Sequence, residues 1–291
     1  MVRVVALVVT VFLVLFTYLY SNATYEQQQS LPAPVRAAAN DILHTVHDIV
    51  SSGDDNIGAR LRYGMKRVGE ELQLTGSGKQ KAANDAFVAV GKDFSGNDFT
   101  SRMLSQATFT RSILNRADFT RAYLSKASLD SVTATGAIFD QAILTAASAR
   151  GADFSGASFI DGDLTGLMAQ GALFEKSQMT VTLFSGGQFT GAVFGSATIT
   201  QSYGDRSIFH SADFSGATIS DTDFAKANFE KASFAGTTLN NVDFTLAHLR
   251  NTDFSGADAA TATGLTQNQL DLACGDSSTK LPQGLSIKNC L

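Results

Sequence analysis

The sequence predicts an all-β solenoid, and three observations carry that reading. All eighteen phenylalanines after residue 90 fall on one five-residue register, from Phe94 and Phe99 through Phe154, Phe159, Phe214 and Phe224 to Phe254, with no phase slip. Of the thirty-three register positions i (94, 99 and onward to 254), twenty-nine carry Phe, Leu, Ile or Met, and the exceptions Ala134, Ala149, Ala169 and Gly204 are all small. The i−2 position is nearly as strict: Ala107, Ala117, Ala122, Ala152, Ala212 and Ala227, or small residues such as Ser112, Gly162 and Thr222, with Lys92, Asn97, Arg102 and Leu167 as departures. A fixed period without insertion means that no unit buries its apolar residue alone, so neighbours must stack around one continuous core.

A period of five fits neither the 3.6 of a helix nor the 2 of an ordinary strand, so each unit is a short extended piece followed by a turn. The intervening Asp, Thr, Ser, Gly, Lys and Arg suit exposed corners. The segments ADFSG at 152–156 and 212–216, ADFTR at 117–121 and ANFEK at 227–231 resemble the A(D/N)LXX consensus of the pentapeptide-repeat proteins. The resemblance covers residues 92 to about 258. It implies a right-handed quadrilateral β-helix, four pentapeptides per coil, with i and i−2 pointing inward. About eight such coils at roughly 4.8 Å per strand spacing give a rod about 40 Å long. Steps of twenty then define inward columns, one of them Phe94, Leu114, Ala134, Phe154 and onward, another Phe109, Leu129, Ala149, Ala169, Phe189. Ala134, Ala149 and Ala169 cluster in the third and fourth coils, a thin place where a dry cavity would cost stability in proportion to its volume.

Four regions follow: a signal peptide or membrane anchor at 1–23, a helical N-terminal region and linker at 24–90, the β-helix at 91–259 and a C-terminal cap at 260–291. Residues 4–20 are apolar apart from Thr10 and Thr17 and follow Arg3. Ser21-Asn22-Ala23 offers the small residues of a cleavage site, whereas the length of the apolar run and the aromatic Phe16, Tyr18 and Tyr20 suit a transmembrane anchor. Either way the repeat is exported. Val35, Ala38, Ala39, Ile42, Leu43, Val46, Ile49 and Val50 follow helical spacing with Pro34 in the first turn, and Ile57, Leu61, Met65, Val68 and Leu72 mark a second helix, interrupted by Gly58, Gly64 and Gly69. Two helices there would be placed to cover the open first coil, whose unpaired backbone invites edge-to-edge association. Beyond Phe254, residues 266–273 read as a capping helix opened by a capping box, Thr266 with Gln269 three residues on, and Leu265, Leu270 and Leu272 would close the last coil.

Charge and chemistry exclude more than they select. The net charge is −5, and residues 92–257 hold twelve Lys/Arg against sixteen Asp/Glu, which argues against a general nucleic-acid surface. The two cysteines, Cys274 and Cys290, flank an irregular tail with no His beside either, and in an oxidising compartment they read most simply as a disulfide. His44 and His47 lie beside Asp41 and Asp48 without a visible third ligand, and His210 and His248 read as outward repeat residues. Gly76-Ser77-Gly78-Lys79 fails as a phosphate loop because Gln73 stands for the first glycine and Gln80 for the Ser or Thr. The recurring Asp93, Asp153, Asp213 and Asp253 read as structural turn residues. Arg111, Arg116, Arg121 and Lys126 occupy i+2 in four successive units. They are either solubilising corners or a basic collar facing an anionic membrane or an acidic partner.

The sequence therefore reads as a non-enzymatic interaction or scaffold protein of the bacterial cell envelope, inner-membrane anchored or periplasmic, using no cofactor and no metal and presenting its rod to an envelope partner. A solenoid with a packed interior offers no pocket, and no nucleophile, base or ligand set stands apart from the repeat. The resemblance supplies the alternative, a DNA-mimicking topoisomerase modulator, since some pentapeptide-repeat proteins inhibit type II topoisomerases as acidic dimers. Export and mild charge count against it, and dimer formation is left open.

Overall fold

The structure is a computed structural model that describes residues 87–290, all within the compact unit Ala83–Leu291. The signal or anchor at 1–23 and the helices expected before residue 87 lie outside the described residues. Among the described residues no helix is long and apolar enough to cross a membrane.

Backbone hydrogen bonding shows why five residues make one unit and twenty make one coil. Taking the unit of Leu114 as the example, the i N–H of Leu114 donates to Thr133 O at 2.6 Å and the i+2 N–H of Arg116 donates to Thr135 O at 3.1 Å, both in the next coil. The i−1 N–H of Ile113 donates the other way, to Lys92 O at 2.8 Å, and the N–H of Ala117 closes the turn onto Leu114 O at 3.0 Å. Four of five backbone donors are thus satisfied by backbone acceptors. The fifth, at i+1, goes to a side chain: Ser95, Ser155, Ser215 and Ser255 N–H donate to Oδ1 of Asp93, Asp153, Asp213 and Asp253 at 2.8–2.9 Å. The recurring carboxylate at i−1 is accordingly a turn residue, capping the one donor that the ladder leaves over.

Each coil lies parallel to the next with an offset of twenty residues, as in Asp93↔Ile113, Asp98↔Asp118, Met103↔Tyr123 and Thr108↔Ser128, which gives four ladders and four faces. The ladder begins at Val88↔Thr108, with Ala89 buried in the register position ahead of Phe94. On one face the pairing lengthens into three-residue strands, β1 Gln178–Thr180, β2 Thr198–Thr200, β3 Thr218–Ser220 and β4 Thr238–Asn240, paired parallel in that order with Met179, Ile199, Ile219 and Leu239 in register.

Every i+2 residue from 91 to 256 has φ between +49° and +69°. Glycine accepts this freely, but Arg111, Lys126 and even the β-branched Val181 adopt it too. A left-handed conformation costs an L-residue roughly 1–2 kcal/mol, so the ladder bond made by each i+2 N–H and the burial of the flanking residues must outweigh local preference at most corners.

The interior is a set of side-chain columns. Phe99, Phe119, Phe139 and Phe159 stack with centroids 4.7, 4.9 and 5.2 Å apart and nearly parallel rings. Phe154, Phe174, Phe194, Phe214, Phe234 and Phe254 form a second stack at 4.7–5.3 Å. Ala134, Ala149 and Ala169 are fully buried, as is Leu167, which places a large side chain at the usually small inward position of the same unit as Ala169. Gly204 is filled from both sides. Phe184 and Phe224, two coils apart, lean together to 6.0 Å, and a Cβ on Gly204 would meet Phe184 Cε2 at 2.2 Å.

Most polar residues at i−2 are buried without being orphaned, Ser177 Oγ being the exception that has no hydrogen-bond partner. Ser112, Thr182, Ser207, Thr237 and Thr252 donate their hydroxyls to the carbonyl oxygen twenty-three residues earlier at 2.6–2.9 Å. That carbonyl already accepts the turn bond in most units, so the hydroxyl uses its second lone pair and ties two coils together.

The expected helix over 266–273 is shorter than the sequence suggests. Only α1, Gln267–Leu270, is helical, opened by the capping box of Thr266 and Gln269. The helix stops there because Cys274 rejoins the ladder opposite Asp253, its N–H donating to Thr252 O at 2.9 Å. Leu270 is fully buried, and Gln269 Nε2 donates to the Phe244 and Ala247 carbonyls at 3.0 Å each.

Candidate functional site

Among the described residues the inward positions are filled by packed rings and aliphatic side chains, which leaves no reaction chamber between them. The buried carboxylates are committed to structure. Asp163 accepts from Thr165 N–H at 3.0 Å and the Thr145 hydroxyl at 3.1 Å, and Asp205 pairs with Arg206 at 2.9 Å. Among the described residues, one surface groove is lined by Ser95, Gly96, Asn115, Arg116 and Thr135, and another by residues that include Asn228, Glu230, His248, Arg250, Gln269 and Leu272. His210 Nδ1 lies 3.8 Å from Glu230 Oε2, and both histidines in the described residues point outward on the repeat.

Arg111, Arg116, Arg121 and Lys126 occupy the four successive corners of one coil, all exposed. The ladder fixes their backbone positions: their N–H groups donate to Asp130, Thr135, Asp140 and Thr145 carbonyls at 2.9, 3.1, 2.9 and 3.0 Å. The structure brings them together as a ring around the rod rather than as a cluster on one face. No ion pair among the described residues engages any of the four. The Arg116 stem runs along its corner toward Gly136, whose Cβ would lie 3.8 Å from Arg116 Cγ.

Cys274 and Cys290 are joined, with S–S 1.99 Å and Cα–Cα 4.8 Å across sixteen residues. Asp253 Oδ1 lies 3.2 Å from Cys290 Sγ, and Ser255 Oγ lies 3.5 Å from it. Asp253, Cys274 and Cys290 are near enough to one another to suggest metal ligands, but the bond consumes both thiolates and leaves a metal one carboxylate. The tail is further held by Asp276, which accepts from the Ser278 hydroxyl at 2.7 Å, from Gly256 N–H at 3.0 Å and from Ser278 N–H at 2.9 Å. Those hydrogen bonds, the Ser278 hydroxyl foremost, lower its pKa to about 2.

The sequence marked the recurring Asp as a turn residue without showing that it caps the i+1 donor, and the interior hydroxyl ladder was missed. Both had a visible signal, in the small polar residues among the alanines at i−2 and the Asp or Asn that so often precedes the central Phe.

Among solved structures, HetL of the cyanobacterium Nostoc, a pentapeptide repeat protein involved in heterocyst differentiation regulation, is 20% identical, with 65% of this chain and 95% of that one covered and a TM-score of 0.35. QnrB1, a plasmid-mediated fluoroquinolone resistance protein, is 18% identical over 66% of this chain and 91% of its own, with a TM-score of 0.33. A pentapeptide repeat protein of the Arabidopsis thaliana thylakoid lumen is 33% identical over 42% of this chain and 77% of that one, with a TM-score of 0.20. No curated protein sequence matches the chain. The model of the pentapeptide repeats matches residues 104–141, 127–166, 137–175, 188–225 and 227–262, eight copies in all and about half of the chain. The repeat register, the twenty-residue coil and this match together place the chain in the pentapeptide-repeat family.

Proposed function

We propose that the protein is a non-enzymatic interaction or scaffold protein of the bacterial cell envelope, a rigid rod on the exported side of a membrane, brought there by residues 1–23. The observation that carries this reading is the Cys274–Cys290 bond closing the tail of a rod whose interior is filled. A disulfide persists in oxidising compartments and is rare in the cytosol, which agrees with an apolar leader. A filled solenoid with its buried carboxylates spent on turns supports binding through the outer faces rather than catalysis.

The test is protease access. In cells whose outer barrier has been opened, added protease should reach the rod while a cytoplasmic marker survives, and mass measurement of the mature chain should find either an intact N-terminus or one starting at Thr24. A rod protected until the cytoplasmic membrane is lysed would overturn the assignment.

A further inference from the structure

Charge is distributed unevenly along the rod. Residues 87–129 carry six Lys/Arg against three Asp, a net of +3, whereas residues 130–290 carry eight Lys/Arg against sixteen Asp/Glu, a net of −8. The three acids at the basic end are Asp93, Asp98 and Asp118. Hydrogen bonds from Ser95 and Thr100 lower the pKa of the first two, so both are ionised and already counted.

The same end exposes apolar side chains. Phe87, Val88, Val90, Met103 and Ile113 are 38%, 70%, 40%, 51% and 41% exposed, and they make up half of the exposed large hydrophobic residues of the described rod within its first twenty-seven residues. Lys92, Asn97 and Arg102 replace the buried alanines of later coils at the inward i−2 position, and all three are exposed. Among the described residues this end is covered by the Phe87 ring, 6.0, 6.4 and 5.1 Å from those of Phe94, Phe99 and Phe109, whereas at the C-terminal end α1 bonds the Phe244 and Ala247 carbonyls and the tail pairs with the last coil.

We infer that the first-coil end of the rod is a contact site for an anionic lipid bilayer, with Val88, Val90 and Met103 entering the headgroup boundary and Lys92, Arg102, Arg111, Arg116, Arg121 and Lys126 meeting the lipid charge. The inference rests on the envelope reading above. Its geometry is that of a rod standing on end: one coil rises about 4.8 Å, so the four-cornered collar sits one to two coils behind the apolar tip. A Debye length of about 8–10 Å keeps it within the field of the surface. Apolar groups at the boundary with basic groups around them are the combination that binds charged interfaces. A ring of cations suits an extended anionic plane, whereas an acidic protein patch would face only one or two of the four corners.

The test uses the full-length protein with vesicles of phosphatidylcholine alone and of phosphatidylcholine mixed with phosphatidylglycerol. Apolar residues at 4–20 would bind both alike, so the informative quantity is the difference. Binding should be about ten-fold or more tighter to the anionic vesicles and should lose that preference at high salt. The quadruple variant Arg111→Glu, Arg116→Glu, Arg121→Glu, Lys126→Glu, checked for an unchanged circular dichroism spectrum and melting temperature, should also lose it. Should the variant misfold, the Gln counterparts at the same four corners should weaken the preference stepwise. Equal affinity for the two vesicles would overturn the inference, and would be the result if the collar meets an acidic protein. A preference that survives both in the quadruple variant and in its extension by Lys92→Glu and Arg102→Glu would also overturn it, and would assign the effect to residues 1–86. Failure of the protease-access test would remove the envelope reading while leaving the vesicle result standing, so the two fail separately.

Discussion

Replacing Phe214 by Ala is expected to cost about 3–5 kcal/mol, the upper part of the range for single core truncations. Phe214 is fully buried and stacks on Phe194 at 4.7 Å and Phe234 at 5.1 Å, with Phe209 and Phe229 meeting it edge-on at 5.3 and 5.9 Å. The coils above and below are held at fixed spacing by their ladder bonds, so the structure cannot collapse to fill the space, and the cavity term is retained nearly whole. Lys226→Ala on an exposed corner should change stability by under about 0.5 kcal/mol. Urea unfolding of both variants measures the contrast. A loss below about 1 kcal/mol for Phe214→Ala would mean that the ring column is not the stabilising core described here.

The second large effect is expected at the tail. Cys290→Ser should cost about 3 kcal/mol in the region it closes, the chain-entropy value for a loop of this length. Cys274 lies in the ladder, its carbonyl accepting from Phe254 N–H at 2.8 Å, while Cys290 is held by one backbone bond to Gly275 at 2.9 Å. Without the disulfide the segment after Gly275 retains that pairing, the Lys288 Nζ bond to Asp271 O at 3.0 Å and the Asp276 turn. The Lys288 and Asp276 bonds are exposed and can open locally, whereas Lys280 stays paired with the ladder opposite Asp258, so the segment beyond Lys280 is the part released. Limited proteolysis should therefore cut the tail of the variant before the rod unfolds. Equal resistance of the variant and the parent would show that packing alone holds the tail.

The core was legible because a five-residue unit brings the same position inward on every face. One register thus named nearly every buried ring, from Phe99 to Phe254, without knowledge of which face each occupies. What could not be read was set by partners twenty residues away. The Thr182 hydroxyl reaches the Phe159 carbonyl and Gln269 reaches the Phe244 carbonyl, neither of them local in sequence. The helix at 266–273 failed for the same reason: the helical pattern of Leu270 and Leu272 is local, but the pull of the ladder on Cys274 is not. Corner conformation was likewise hidden, since Arg111 and Val181 have no local preference for positive φ and acquire it only from the stacked coil. Of the candidate sites, the four corner cations were visible as a spacing, but their closure into a ring beside an apolar end needed the coil geometry.

The proposed protein is a filled rod, covalently closed at its tail, held where thiols oxidise. The most direct test is the alkylation state of Cys274 and Cys290 in protein quenched with acid from its native cells. Both should resist alkylation until a reductant is added, and then both should label. Rapid labelling of the two thiols without reductant would contradict the closed tail and the exported location together.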